Sequence, residues 1–175
     1  MIRKIVTVAM LGVLLTACGA RSFGNKIDDQ FTGPEVIRAI KDAHIDLSTS
    51  TSRIIVTSYN GIVLVTGQTP RAELKELAGK AAQSVQSAKK IHNELQITTP
   101  TSGMVRSNDG LLTANIKTRM LSYNDVPASK VKVVTENGVV YLLGIISRAE
   151  ANRATAVAQE VNGVQKIVRL FEYID

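Results

Sequence analysis

The window Val56 to Glu73 recurs as Val133 to Glu150, and nothing else in the 175 residues restricts the possible folds so strongly. At a constant offset of 77, eight of 18 positions are identical: Val56/Val133, Asn60/Asn137, Gly61/Gly138, Val63/Val140, Gly67/Gly144 and the Arg-Ala-Glu at 71–73 and 148–150. The shared residues carry backbone meaning. Asn-Gly between two apolar runs favours φ > 0 at both central turn positions, which is what a two-residue type I′ hairpin requires. Asn60, Gly61, Gly67, Asn137, Gly138 and Gly144 are therefore read as turn residues, one set per copy.

The repeat extends in both directions. Leu74, Leu77, Ala78, Ala81 and Val85 follow the first Arg-Ala-Glu at helical spacing, as Ala151, Ala154, Ala158 and Val161 follow the second. Pro70 falls at the first turn of one helix, and Ser147 with Glu150 has the capping-box spacing at the start of the other. Apolar runs Ile91–Thr98 and Val164–Ile174 close the two copies as strands, the latter after Asn162-Gly163, an apt helix stop. Upstream, Val36, Ile37 and Ile40 predict a helix over Pro34–Ala43, and Leu112, Ile116 and Met120 predict one over Gly110–Leu121. Each copy reads helix, strand, strand, helix, strand: an α+β unit with a three-stranded mixed sheet on two helices. The boundaries are 32–98 for the first unit, a turn-rich linker 99–109, and 110–175 for the second. Units of roughly 70 residues bury only modest cores, so the two should lean on one another or on a partner.

This pattern resembles the BON domain, a small αββαβ module of bacterial envelope proteins with a glycine after its hairpin, here Gly67 and Gly144. The resemblance covers about residues 27–175. Two copies behind the N-terminus described next resemble the dual-BON outer-membrane lipoproteins of Gram-negative bacteria. The resemblance implies binding of anionic phospholipid and support of outer-membrane integrity.

Met-Ile-Arg-Lys, an apolar run Ile5–Leu15 too short to span a bilayer, and Thr-Ala-Cys make residues 1–17 a secretory signal peptide. Leu15-Thr16-Ala17-Cys18 matches the bacterial lipobox, in which Cys18 is acylated and becomes the mature N-terminus. Cys18 is the only cysteine, so no internal disulfide can form. Several acyl chains anchor stably where one binds only marginally. Gly19 in place of aspartate favours, by resemblance to enteric lipoproteins, an outer-membrane destination. Residues 18–31 lack useful periodicity and read as a tether.

Catalytic chemistry is missing from the sequence. His44 and His92 lack metal-ligand spacing, and the glycines fit neither a dinucleotide fingerprint nor a phosphate loop. Glu73 and Glu150 are explained by helix capping, so neither an enzyme nor a cofactor or metal is expected. Removing Arg3 and Lys4 with the signal leaves 19 basic against 15 acidic side chains, a balance of +4. A mildly basic periplasmic protein invites an anionic partner, and its compartment excludes nucleic acid. Phospholipid headgroups, lipopolysaccharide phosphates and acidic protein surfaces, those of outer-membrane assembly proteins among them, remain.

The copies differ in their first helices. Residues 33–47 hold Glu35, Asp42 and Asp46 against Arg38 and Lys41, whereas residues 110–124 hold only Lys117 and Arg119, with Arg106 upstream. The pairs Leu111-Leu112 and Met120-Leu121 add more apolar surface than one core-facing stripe needs, the mixture of an interfacial helix. Leu111, Leu112, Ile116, Lys117, Arg119 and Met120 are thus the candidate lipid-binding residues. A rival basic patch, Arg71, Lys75, Lys80, Lys89 and Lys90 beside Glu73 and Glu76, lies opposite a plain apolar stripe.

Overall fold

The computed structural model describes residues 23–175. Cys18, the lipobox and residues 18–22 of the expected tether lie outside the described residues. The first domain comprises α1 (Phe23–Ala43), α2 (Ile45–Ser48), β1 (Arg53–Tyr59), β2 (Ile62–Thr69), α3 (Ala72–Gln83), β3 (Lys90–Asn93) and β4 (Gln96–Ile97). The second comprises α4 (Gly103–Leu121), a 3₁₀ turn (Ala128–Lys130), β5 (Lys132–Glu136), β6 (Val139–Ile146), α5 (Arg148–Gln159) and β7 (Lys166–Tyr173). In each, a hairpin is followed by a helix and a strand parallel to the hairpin's second strand, which is therefore central. The architecture is α+β, in tandem.

Both hairpins turn on Asn-Gly. Tyr59 pairs with Ile62 and Glu136 with Val139, leaving two-residue loops. Asn60 and Gly61 have φ of 61° and 83°, Asn137 and Gly138 of 51° and 73°. Gly67 and Gly144 are not turn residues: they lie inside β2 and β6. At Gly67, with φ +112°, a Cβ would stand 1.8 Å from the Arg53 carbonyl oxygen; at Gly144 it would stand 2.8 Å from that of Lys130. Both glycines admit a close backbone approach, one reason glycine occurs within strands.

Four other boundaries depart from expectation. Residues 23–31, read as tether, belong to α1, and Phe23, Ile27 and Phe31 at intervals of four were the available signal. The second domain's first helix begins at Gly103 rather than Gly110, capped by Ser102, whose hydroxyl accepts from the Val105 N–H at 3.4 Å. Pro70 precedes α3, which starts at Ala72. The strand expected over Ile91–Thr98 is broken into β3 and β4, both parallel to β2, so this sheet counts four strands. Asn93 Nδ2 donates to the Lys75 carbonyl at 2.7 Å, and the chain at the break carries Leu95 into the core, 1 % exposed.

The central strands explain how the domains meet. Val63 and Val65 face α1 and α3; Val140 and Leu142 face α4 and α5. Alternation sends Ile62 and Leu64 the other way, where with Tyr59 they pack on Tyr141, Leu143 and Leu170 of the second sheet. The result is four layers, helices outside and two sheets face to face. Burying each large aliphatic there contributes roughly 1.5–3 kcal/mol.

Polar groups complete this seam. Glu136, 3 % exposed, accepts at Oε1 from Arg53 Nη1 and Gln68 Nε2, both at 2.7 Å. The Tyr59 hydroxyl donates to the Lys130 carbonyl at 2.7 Å, and Asn137 Nδ2 to Gln96 Oε1 at 2.8 Å. A buried carboxylate needs such partners, because an unpaired one would carry the full cost of desolvation.

Candidate functional site

Helix α4 sorts the six candidate residues by phase. Leu112, Ile116 and Met120, spaced by four, are buried in the second domain's core and cannot reach a membrane without unfolding it. Leu111 points away from that core and is 64 % exposed. Lys117 Nζ donates to the carbonyls of Ala128 at 2.7 Å and Val131 at 3.0 Å, clasping the 3₁₀ turn to the helix. Arg119 pairs with Glu160 at 2.6 Å on the surface, a contact that raises its already high pKa. The sequence grouping thus divides into core, clasp and surface.

Two exposed apolar residues on α4, Met104 and Leu121, were not among the candidates. Met104 and the candidate Leu111, seven apart, share one face over two helical turns, and Leu121 is exposed at the C-terminal end. Met104 fell in the segment read as linker, and in the Met120-Leu121 pair the phase set by Ile116 decides which residue turns inward. Arg106 Nη1 donates to the Thr101 carbonyl at 2.6 Å, so its charge meets no carboxylate there. The acid on α4, Asp109, is 7 % exposed and faces inward. The outer face of α4 is therefore apolar and cationic.

Asp109 also shapes the surface beside the helix. Its Oδ2 accepts from the Asn137 N–H at 2.8 Å and its Oδ1 from the Gly138 N–H at 2.9 Å, so the carboxylate ties α4 to the β5–β6 turn. Between α4, this turn and the loop 162–165 runs an open groove of about 420 Å³. Val105, Leu111 and Leu112 give its apolar wall.

Elsewhere several charged and polar groups have structural partners, although Lys75, Lys80, Lys89 and Lys90 of the rival patch make no ion pair among the described residues. Arg71, in the rival patch, pairs with Asp46 at 2.8 Å and Glu73 at 2.6 Å. Glu150 closes the capping box with Ser147, and the Ser147 N–H is the largest influence holding its carboxyl below the usual range. His44 caps α2, Nδ1 accepting from the Asp46 N–H at 3.1 Å. His92 is half-buried in β3, its Nε2 enclosed without a hydrogen-bond partner, and burial, then Lys90, lowers its pKa. Tyr141, in the seam, is pushed up to about 12 by burial. Among the described residues no cluster of three His, Cys, Asp or Glu could hold a metal ion, and no helix is long and apolar enough to cross a membrane.

Comparison with known proteins joins this fold to a family. The BON domain family model matches residues 35–99 and again 108–175. The outer membrane lipoprotein DolP of Haemophilus influenzae is 36% identical over 91% of this chain and 81% of its own length. The 21 kDa hemolysin of Actinobacillus pleuropneumoniae is 36% identical over 88% of the chain and 78% of its length. The osmotically-inducible protein Y of Escherichia coli is 31% identical over 82% and 72% respectively. The chain belongs to the BON-domain family, as a dual-BON envelope protein of the DolP type.

Proposed function

We propose that this protein is a non-catalytic lipoprotein, anchored through acylated Cys18 at the periplasmic face of the outer membrane, whose second domain binds anionic phospholipid and so supports outer-membrane integrity. The observation that carries the reading is the outer face of α4. Met104 and Leu111 are exposed there, Arg106 brings positive charge with a neutral carbonyl partner, and no exposed acid stands on the helix. Such a helix lies in the headgroup plane, its apolar residues inserting and each nearby cation contributing on the order of 1 kcal/mol at an anionic surface. Arg119 contributes less while Glu160 holds it.

The test is flotation of Cys18→Ala protein, which lacks acyl chains, with vesicles containing or lacking anionic lipid. Binding should require anionic lipid and weaken with salt. Met104→Asp with Leu111→Asp should abolish it at unchanged melting temperature, since both side chains are exposed. Lys117→Glu is a poor probe, because losing the carbonyl clasp would destabilise the domain. Unimpaired flotation of the double variant would refute the reading. A protein that never floats without its acyl chains would instead be an adaptor docking on envelope assembly proteins or cell wall.

A further inference from the structure

The groove beside α4 is bordered by elements that occur in both domains, and two of the residues at its rim differ between the copies. Lys89 and Gln165 are equivalent, each donating its backbone N–H to the carbonyl of its turn glycine, Gly61 or Gly138. Two residues before them stand Ser87 and Gly163. The helix residues immediately before the core positions Val36 and Leu112 are Glu35 and Leu111. In the first domain Ser87 Oγ donates to Glu35 Oε2 at 2.8 Å and bridges loop to helix. In the second, the corresponding residues are Gly163 and Leu111, and no such bridge can form. Gly163 has φ +100°, where a side chain would be strained, and its missing Cβ would lie 3.8 Å from Leu112 Cδ1.

The opened space has a definite chemistry. Asn108, Asn115, Asn162 and Gln165 bring four side-chain amides to it, and none is engaged within the described part of the protein. Asp109 is the only charged side chain along it, and both of its oxygens accept from the turn. Lysine and arginine are absent from the lining, so an anion gains nothing there. No strand edge borders it either, so an extended peptide would find no ladder of backbone groups to pair with. Amides both donate and accept, as hydroxyl groups do, and the apolar wall of Val105, Leu111 and Leu112 suits the C–H face of a ring. The volume lies within the range of ligand clefts.

We propose that this groove is a second binding site, which shares Leu111 with the face proposed to meet phospholipid but takes its polar contacts from other residues, and that its ligand is an uncharged saccharide, from a glycan strand or from a glycolipid head. The experiment follows backbone amide NMR signals of the Cys18→Ala protein in two arms. Chitotetraose, titrated to about 20 mM, stands for the glycan; vesicles of zwitterionic lipid with and without a neutral galactolipid stand for the glycolipid. Sugar-dependent changes at residues 105–115, 137–138 and 162–165 in either arm support the proposal and identify the source. Asn108→Ala with Asn115→Ala should weaken binding roughly tenfold, as expected for two lost hydrogen bonds, at unchanged melting temperature and unchanged flotation with anionic vesicles. The proposal is overturned if neither arm shifts these signals, or if the double variant binds as the parent does.

Discussion

In the first domain a serine–glutamate hydrogen bond bridges helix and loop; in the second, leucine and glycine stand at those positions beside an open groove. The same contrast recurs at other positions. The seam residue before the turn is Tyr59 in one copy, donating a hydroxyl across the interface, and Glu136 in the other, accepting from Arg53 and Gln68. The helix after the hairpin starts on Arg71 without a side-chain cap in one, on a full capping box in the other. The closing strand is broken in one and runs unbroken over eight residues in the other. Positions that fix backbone conformation are shared between copies, whereas positions that decide what surface is offered have diverged. Beside its first helix the first domain ties Ser87 to Glu35, whereas the second leaves the amides of Asn108 and Asn115 unengaged among the described residues.

The largest effect should come from the two strand glycines, which sequence makes equivalent and geometry does not. Gly67→Ala places a Cβ against backbone at positive φ, so it should cost about 4 kcal/mol or more and unfold the first domain. Gly144→Ala meets the Lys130 carbonyl at 2.8 Å without a positive φ, so roughly 1–2 kcal/mol is expected. Urea titration decides; equal losses would remove the asymmetry. Next come the seam residues. Glu136→Ala strands the Arg53 guanidinium beside the buried seam and should cost about 3 kcal/mol, while Tyr59→Phe loses one hydrogen bond worth about 1 kcal/mol. A Glu136→Ala melting curve that matches the parent would mean that the domains are not held by this network.

The smallest effect concerns the caps. Ser147→Ala should cost about 1 kcal/mol, and Arg71→Ala less, its contacts being exposed ion pairs. The capping box also makes a pH signature. Glu150 has a folded pKa below its unfolded value of 4.5, so its contribution is complete above that value and is lost as pH falls through the folded pKa. Ser147→Ala removes the hydroxyl but keeps the dominant backbone N–H, so the Glu150 titration, followed by NMR, should rise only part of the way toward the ordinary carboxylate range. No change would mean that the backbone N–H alone sets it.

Much of this fold is readable without coordinates because its signals are local. Asn-Gly turns, the spacing of Leu112, Ile116 and Met120, and Ser147 with Glu150 each act within a few residues. The rest depends on distance along the chain. Ser107-Asn-Asp-Gly110 has the composition of a turn, yet it lies inside α4, because Asp109 bonds the turn at Asn137 and Gly138, 28 and 29 residues away. Lys117 looks like a free surface cation until Ala128 and Val131 supply its acceptors. The apolar run Ile62–Val65 signals a strand covered on both faces, but not that the second cover is the other copy. The groove was hidden for the same reason: its walls come from α4, a turn and a loop that only the folded chain brings together.

The apolar seam between the sheets has a consequence for how the molecule comes into being. A chain made and exported from its N-terminus presents Tyr59, Ile62 and Leu64 before Tyr141, Leu143 and Leu170 exist to cover them. During that interval the first sheet is an adhesive half-interface, and any second copy at the same stage offers an equally good mate. Domain exchange between neighbours is thus the characteristic error open to this protein, and the short stretch joining β4 to α4 limits it by keeping the correct mate closest.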